Sequence, residues 1–164
     1  WTLDQIIEGM QRYGYAGLEP RAGWGHAIGL ELDTALGDRD AARGKIEAAG
    51  LAVSCVATGA RFATEDASEL DGYIDETNKA IDLAADLGAA YVRTFGGARG
   101  KGELRGIVNR TANAYRRTWR YANGRAETRA SPNGCERSTT DEWSCCASRS
   151  RATVPRESSS KLGA

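Results

Sequence analysis

The sequence predicts an α/β fold built around a parallel sheet. Two observations predict this fold: helices and buried strands alternate along the chain, and the strands start near residues 15, 51 and 89. A third observation limits the fold to the first two thirds of the chain. From residue 111 to residue 164, only Val154 and Leu162 belong to the set Leu, Ile, Val and Met. We therefore predict a domain over residues 1–110 and an irregular or disordered tail over residues 111–164.

The first helix is predicted by a capping box at Thr2–Gln5, in which the first and last side chains cap each other's backbone. Apolar residues follow at helical spacing, at Leu3, Ile6, Ile7, Met10 and Tyr13. Gly14 is typical of the position after a helix end. The next apolar segment, Tyr15–Leu18, predicts a buried strand that ends at Glu19.

A second helix is predicted to begin at Asp38, which can cap it, and to stop at Gly50. Its inward face is assigned to Ala41, Ala42, Ile46 and Ala49. The segment Leu51–Ala57 is apolar on both faces, which is typical of a parallel strand covered on both sides. Cys55 lies in this segment and is expected to be a core thiol.

The third helix is predicted from Ser68 to Leu87 by an apolar residue at every third or fourth position, and Gly88 closes it. The third strand, Ala89–Phe95, follows directly. A fourth helix is predicted to start near Gly102. Its apolar residues are Leu104, Ile107 and Val108.

Two architectures contain such units, an open doubly wound sheet and a (β/α)8 barrel. A barrel takes about 250 residues, so in the barrel interpretation the patterned segment amounts to about the first half of a (β/α)8 TIM barrel, and the open sheet is the alternative. The chain also begins at Trp1, and we interpret it as a fragment.

Ligands of both architectures bind at the carboxyl ends of the strands, where Glu19, His26 and Arg93 are predicted to lie. Glu19 can bind a sugar hydroxyl, ligate a metal or act as a base, or it can simply pair with Arg21. His26 is either an acid–base group or a solvated loop residue. Arg93 can hold a phosphate or carboxylate, or form a structural ion pair in the barrel mouth.

The glycine-rich segment Gly96–Gly102 follows a predicted strand and precedes a helix, which is the position of a phosphate-binding loop. It does not fit the P-loop pattern, because Phe95 stands where that pattern needs glycine and Gly102 where it needs Ser or Thr. A plain βα loop is the alternative interpretation.

The order and spacing of five segments, Trp1–Asp4, Gly14–Glu19, Ala48–Val53, Lys79–Arg93 and Phe95–Gly97, resemble the sugar phosphate isomerase/epimerase family. Members of that family have a xylose-isomerase-like TIM barrel. The resemblance covers about residues 1–110. It implies a small-molecule sugar or sugar phosphate as substrate, with Glu19, His26 and Arg93 lining the substrate mouth.

The resemblance also implies proton transfer through an enediolate that is stabilised by a divalent metal, Mn²⁺, Mg²⁺, Co²⁺ or Zn²⁺. The family's metal ligands come mostly from the later strands, and the chain has a single histidine. We therefore assign no metal ligand and no catalytic residue to this chain. A DNA-repair endonuclease of the same barrel superfamily is disfavoured, because residues 1–110 carry 12 basic and 17 acidic side chains.

The predicted tail is basic, with 10 basic and 5 acidic side chains over residues 111–164. One hypothesis is a shift of reading frame soon after residue 110, and another is a disordered tail that recruits an acidic partner. The second makes the chain a small α/β binding module without catalysis. We predict no nucleic-acid partner, no membrane segment and, from the unpaired spacing of the four cysteines, a cytoplasmic location.

Overall fold

The computed structural model describes residues 1–130, with side chains described through Arg125. Four helices alternate with short parallel strands. Their bounds are α1 Leu3–Arg12, β1 Gly17–Leu18, α2 Leu36–Ala48, β2 Ala52–Val53, β3 Val56–Arg61, α3 Ala67–Leu87, β4 Val92–Phe95 and α4 Leu104–Ala130. Within these residues, none of the helices combines the length and apolar character that a bilayer crossing requires.

The sheet confirms the predicted parallel arrangement. β1 pairs with β2, with Gly17 opposite Ala52, and β3 pairs with β4, with Val56 opposite Val92. Gly17 is required at this close approach, because a side chain there would collide with the carbonyl oxygen of Ala52. These pairings form two two-stranded parallel sheets, and residues 1–130 do not themselves close a barrel.

The predicted strand Leu51–Ala57 is in place but differs in extent. Ser54 and Cys55 interrupt it, and it then continues as β3 to Arg61. Around the interruption the chain exchanges hydrogen bonds with the segment after β1, from Ala57 N to Pro20 O and from Ala22 N to Ala57 O, each 2.9 Å long. The interrupted strand thus lies between β1 on one side and β4 on the other.

The first and third helices are confirmed. Thr2 forms the complete capping box with Gln5 at the start of α1. Asp66 caps α3 by accepting from the amide of Glu69, and Gly88 ends that helix in the left-handed conformation. Local side-chain chemistry therefore sets both ends of α3.

The predicted cap of α2 at Asp38 is wrong by three residues, because Ala35 occupies the cap position. The helix begins at Leu36 after Ala35, and the amide of Asp38 already donates to the carbonyl of Ala35. Asp38 therefore lies in the first turn, where its charge is favourable at the positive end of the helix. Ala42 and Ile46 face the core as predicted, whereas Ala41 is exposed.

The main core fills the space between the strands and helices α1, α2 and α3. Its buried members are chiefly aliphatic and include Leu18, Leu30, Ile46, Val53, Val56, Leu83 and Leu87. Apolar residues of α1, among them Ile6 and Met10, pack against it. Cys55 is only partly buried and does not belong to this core, contrary to expectation, because it lies in the interruption between β2 and β3.

The expectation of irregular structure directly after residue 110 is wrong, because α4 continues to Ala130. Two residues beyond 110 are buried, Ala114 and Thr118. Tyr115 meets the fully buried ring of Phe62 edge-on, with ring centres 4.9 Å apart. Small and aromatic residues hold this helix, so a count of Leu, Ile, Val and Met does not detect it. The predictions for residues 131–164 lie outside the described residues.

Candidate functional site

Glu19 and Arg93 form an ion pair on the sheet face opposite the main core. Arg93 Nε donates to Glu19 Oε1 over 2.9 Å, and its Nη2 lies 2.8 Å from the same oxygen. Glu19 directly follows β1, and Arg93 lies on β4 opposite Ala57. The side chains are 39% and 41% exposed, so a ligand can reach both.

Cys55 lies beside this ion pair, in the interruption between β2 and β3. Partial burial raises the pKa of its thiol, and the charge of Glu19 raises that pKa further. A hydrogen bond from the Arg93 backbone and the charge of Arg93 act in the opposite direction. The carboxylate of Glu19, the thiol of Cys55 and the guanidinium of Arg93 therefore lie next to one another.

The ring of Phe95 extends this surface along β4. The Arg93 guanidinium carbon lies 4.9 Å from the ring centre, and 39% of Phe95 is exposed. Residues two apart on a strand share a face, so Phe95 and Arg93 point to the same side of the sheet. The candidate site thus combines a carboxylate, a guanidinium, a thiol and an aromatic ring.

His26 lies apart from the Glu19–Arg93 pair. Its ring centre is 6.3 Å from that of Trp24, and its backbone amide donates to Glu31 over 2.7 Å. The Glu31 carboxylate also accepts from the amides of Gly23 and Trp24, and so it shapes this loop. The sequence analysis did not identify Glu31, although a carboxylate soon after a glycine-rich loop can accept hydrogen bonds from the backbone amides of that loop.

Trp24 lies over the sheet next to His26. A side chain on Gly59 would contact this ring, because Trp24 Cζ2 lies 3.0 Å from the ideal Cβ position of Gly59. The Arg21 guanidinium carbon is 4.3 Å from the indole ring centre. Arg21 therefore stacks on Trp24. Glu19 pairs with Arg93 and not with Arg21, the alternative partner in the sequence-based interpretation.

The glycine-rich loop after β4 has an acidic neighbour. A side chain on Gly102 would collide with the Glu65 carboxylate, and one on Gly100 would lie 3.5 Å from it. A negative charge at this position repels phosphate. The structure therefore favours the plain βα loop over the phosphate-binding loop.

Residues 1–130 contain no group of three or more His, Cys, Asp and Glu side chains that is arranged to hold a metal ion. At the candidate site the donors are one thiol and a carboxylate that is already paired with a guanidinium. A divalent cation beside Arg93 would be repelled, so these residues do not fit such an ion. We derive no reaction step through a metal.

No protein-family model and no curated protein sequence matches the chain. Solved structures do resemble it. One is protein SMc04130 from Sinorhizobium meliloti 1021, with 20% identity, a TM-score of 0.59, and coverage of 77% of this chain and 43% of that one. Another is the apo form of the 3-keto-D-glucoside 4-epimerase YcjR from E. coli, with 13% identity, a TM-score of 0.58, and coverage of 76% and 48%.

Because both identities are low, these likenesses are evidence for the fold alone. They bear out the mixed α/β architecture with short parallel strands over most of the chain. The chain spans less than half the length of either neighbour.

Proposed function

We propose that the face carrying Glu19, Cys55 and Arg93 binds a small polyhydroxylated compound, a sugar or a sugar phosphate. We further propose that the chain is part of an isomerase or epimerase. The observation that carries the proposal is the accessible ion pair between Glu19, directly after β1, and Arg93 of the parallel strand β4. The likeness in fold to a 3-keto-D-glucoside 4-epimerase supports the substrate class.

The ion pair offers complementary hydrogen-bonding groups to such a ligand. Arg93 presents a planar fork of donors that suits phosphate or vicinal hydroxyl oxygens. Both of its contacts to Glu19 use Oε1, so Oε2 can accept a hydrogen bond from a sugar hydroxyl. Because both side chains are about 40% exposed, exchanging part of the pair for ligand contacts costs little desolvation.

The reaction that we propose for the isomerase or epimerase is proton transfer beside a carbonyl through an enediolate. By the family resemblance, a divalent metal, Mn²⁺, Mg²⁺, Co²⁺ or Zn²⁺, would stabilise such an enediolate, but the described residues of the candidate site do not fit that ion. Residues 1–130 supply substrate contacts to this chemistry, and we assign none of them a metal-binding role. His26 is the single histidine of the chain, and its ring lies beside Trp24.

Isothermal titration calorimetry with aldose and ketose phosphates and their unphosphorylated forms tests this proposal. We expect Arg93→Met to weaken phosphate-sugar binding by about tenfold or more, and Glu19→Gln to weaken binding of both forms. Arg117→Met is the matched control, because Arg117 forms an exposed ion pair with Asp71 on the helical side. Binding that survives both site substitutions, or no binding to any of these sugars, would overturn the proposal.

The alternative is a small α/β binding module whose basic tail recruits an acidic partner. Its test needs a truncation after residue 130, because a cut at 110 would remove the buried part of α4. Salt-sensitive binding of poly-glutamate that disappears on deletion of residues 131–164 would favour this alternative. Sugar binding that the deletion leaves intact favours the isomerase or epimerase.

A further inference from the structure

Arg21 and Arg93 lie on the same face of the sheet, on either side of Ala57. Arg21 forms a parallel β-bridge with Ala57, and Ala57 lies opposite Arg93 of β4. The side chains of residues paired in this way point to the same side of a sheet. Neighbouring strands are about 4.8 Å apart, so the two arginine side chains start about 10 Å from each other. Arg21 therefore lies beside the ion pair of Glu19 and Arg93.

Stacking on Trp24 orients the guanidinium of Arg21. The guanidinium carbon lies 4.3 Å from the centre of the indole ring. The ring in turn lies against Gly59, two residues after Ala57 on β3. Stacking uses the flat face of a guanidinium and leaves the N–H groups at its edge able to donate to a ligand. Because Arg21 is exposed, a ligand at the neighbouring ion pair can reach these donors.

The Glu31 carboxylate holds the loop that carries Trp24. Its Oε2 accepts from the amides of Gly23 and Trp24, and its Oε1 accepts from the amide of His26. Glu31 is itself partly buried, and its amide donates to Thr34 Oγ1 over 2.8 Å. Three amides directed at one carboxylate fix the backbone on both sides of Trp24, and with it the place from which the indole ring extends.

We propose that Arg21 is a further ligand contact of the sugar-binding face and that Glu31 is its positioning residue, acting through Trp24. This inference rests on the proposed function, because the ligand is the sugar or sugar phosphate that Glu19 and Arg93 bind. Arg21 donates to a hydroxyl or phosphate oxygen of that ligand. Glu31 does not contact the ligand. It keeps the indole ring on the sheet, so that the guanidinium is in place before the ligand arrives.

A double-mutant cycle on ligand binding tests this order of contacts. Isothermal titration calorimetry of the full chain with aldose and ketose phosphates gives the affinities of the unsubstituted chain, Arg21→Met, Glu31→Ala and the double variant. We expect each single substitution to weaken binding by about tenfold. The double variant should bind no more weakly than Arg21→Met, because Glu31 acts only through Arg21. Glu47→Ala is the control and should leave the affinity unchanged, since Glu47 pairs with Arg43 at an exposed place on α2.

Chemical rescue separates positioning from a general loss of stability. Acetate can accept from the amides that Glu31→Ala leaves without their carboxylate, so it should restore most of the lost affinity, whereas sodium chloride at the same ionic strength should not. His26 is the single histidine, so its imidazole proton NMR signals report on the loop alone. They should move in Glu31→Ala and return with acetate. Glu31→Gln keeps one acceptor oxygen and should lie between the two, which provides a second variant should Glu31→Ala not fold.

The outcomes distinguish this inference from the function on which it rests. If the unsubstituted chain binds no sugar, the proposed function fails and the role of Arg21 and Glu31 fails with it. If sugar binds and Arg21→Met leaves the affinity unchanged, only the inference is overturned. Losses that add in the double variant, or a loss in Glu31→Ala that acetate does not restore, would also overturn it, because Glu31 would then not act through the loop and Arg21.

Discussion

Glu19 and Arg93, 74 residues apart in the chain, meet through two contacts onto a single carboxylate oxygen. The pair ties the end of β1 to β4 across the interrupted strand that runs between them. The thiol of Cys55 is not part of this ion pair, but both charges act on its pKa. The reactivity of the thiol therefore depends on the two charges.

The reactivity of Cys55 should change in opposite directions when either charge is removed. Burial and Glu19 raise the pKa of the thiol, and Arg93 lowers it. Glu19→Gln should therefore lower the pKa and speed alkylation at pH 8, because the thiolate is the nucleophile. Arg93→Met should raise the pKa and slow alkylation. The measurement is the rate of iodoacetamide modification between pH 7 and 10 with the other three cysteines replaced by serine.

Asp71→Asn serves as the control for this experiment, since Asp71 is an exposed carboxylate that pairs with Arg117 on α4. It should leave the alkylation rate unchanged. Equal rates in all variants, or faster alkylation in Arg93→Met, would mean that the two charges do not act on Cys55 as the structure shows.

Two glycine-to-alanine substitutions should change stability with opposite signs. Gly59→Ala places a methyl group 3.0 Å from the Trp24 ring, so the indole must shift, at a cost of about 1 kcal/mol or more. Gly72→Ala in α3 meets nothing within 4 Å and should stabilise by about 0.5–1 kcal/mol. Urea unfolding gives both free energies, and tryptophan emission should shift for Gly59→Ala alone. Equal effects from the two changes would contradict the packing of Trp24 on Gly59.

The sequence-based predictions succeed where the signal is local. Thr2 caps α1 through the predicted contacts within three residues, and the apolar spacing places the start of α3 to within one residue. Glu19 directly follows β1 as predicted, whereas Arg93 is the second residue of β4 and does not lie at its carboxyl end. Their mutual pairing could not be predicted, because Arg21 is closer in sequence and only the fold turns it onto Trp24.

The predictions fail where tertiary packing decides. Ala114, Tyr115 and Thr118 carry little aliphatic signal, yet they pack α4 against the ring of Phe62 and against α3. The apolar run Leu51–Ala57 gives no sign of the break at Ser54 and Cys55. The break separates β2, which pairs with β1, from β3, which pairs with β4.

Truncation distinguishes the domain boundary of the structure from the boundary at residue 110. A chain ending at residue 130 should keep nearly the full free energy of unfolding, because all described packing is retained. A chain ending at residue 110 loses the cover of Phe62 and the ion pairs of Arg117 and Arg125, and it should be destabilised by several kcal/mol. Circular dichroism with urea unfolding measures both. Equal stability of the two truncated chains would show that α4 does not support the fold.

Two carboxylates of α3 that pair with arginines of α4 should differ sharply in their contribution to stability. Asp86 is 3% exposed and accepts from Arg39 Nη1 over 3.0 Å and from Arg125 Nη2 over 3.3 Å. Asp71 meets Arg117 over 2.8 Å, but its side chain is 64% exposed. Asp86→Asn keeps the shape and removes the charge, which leaves the largely buried guanidinium of Arg39 without this counter-ion, whereas Arg125 keeps its contact with Asp82 over 2.9 Å.

We expect Asp86→Asn to lower the free energy of unfolding by about 2–4 kcal/mol, since removing one partner of a buried pair strands the other. Asp71→Asn should cost less than about 1 kcal/mol, as exposed pairs do. Added salt should abolish the small effect and leave most of the large one, because screening acts mainly on exposed charges. Urea unfolding at low and high salt measures both. If the two variants lose equal stability, α4 is not docked on α3 through Asp86.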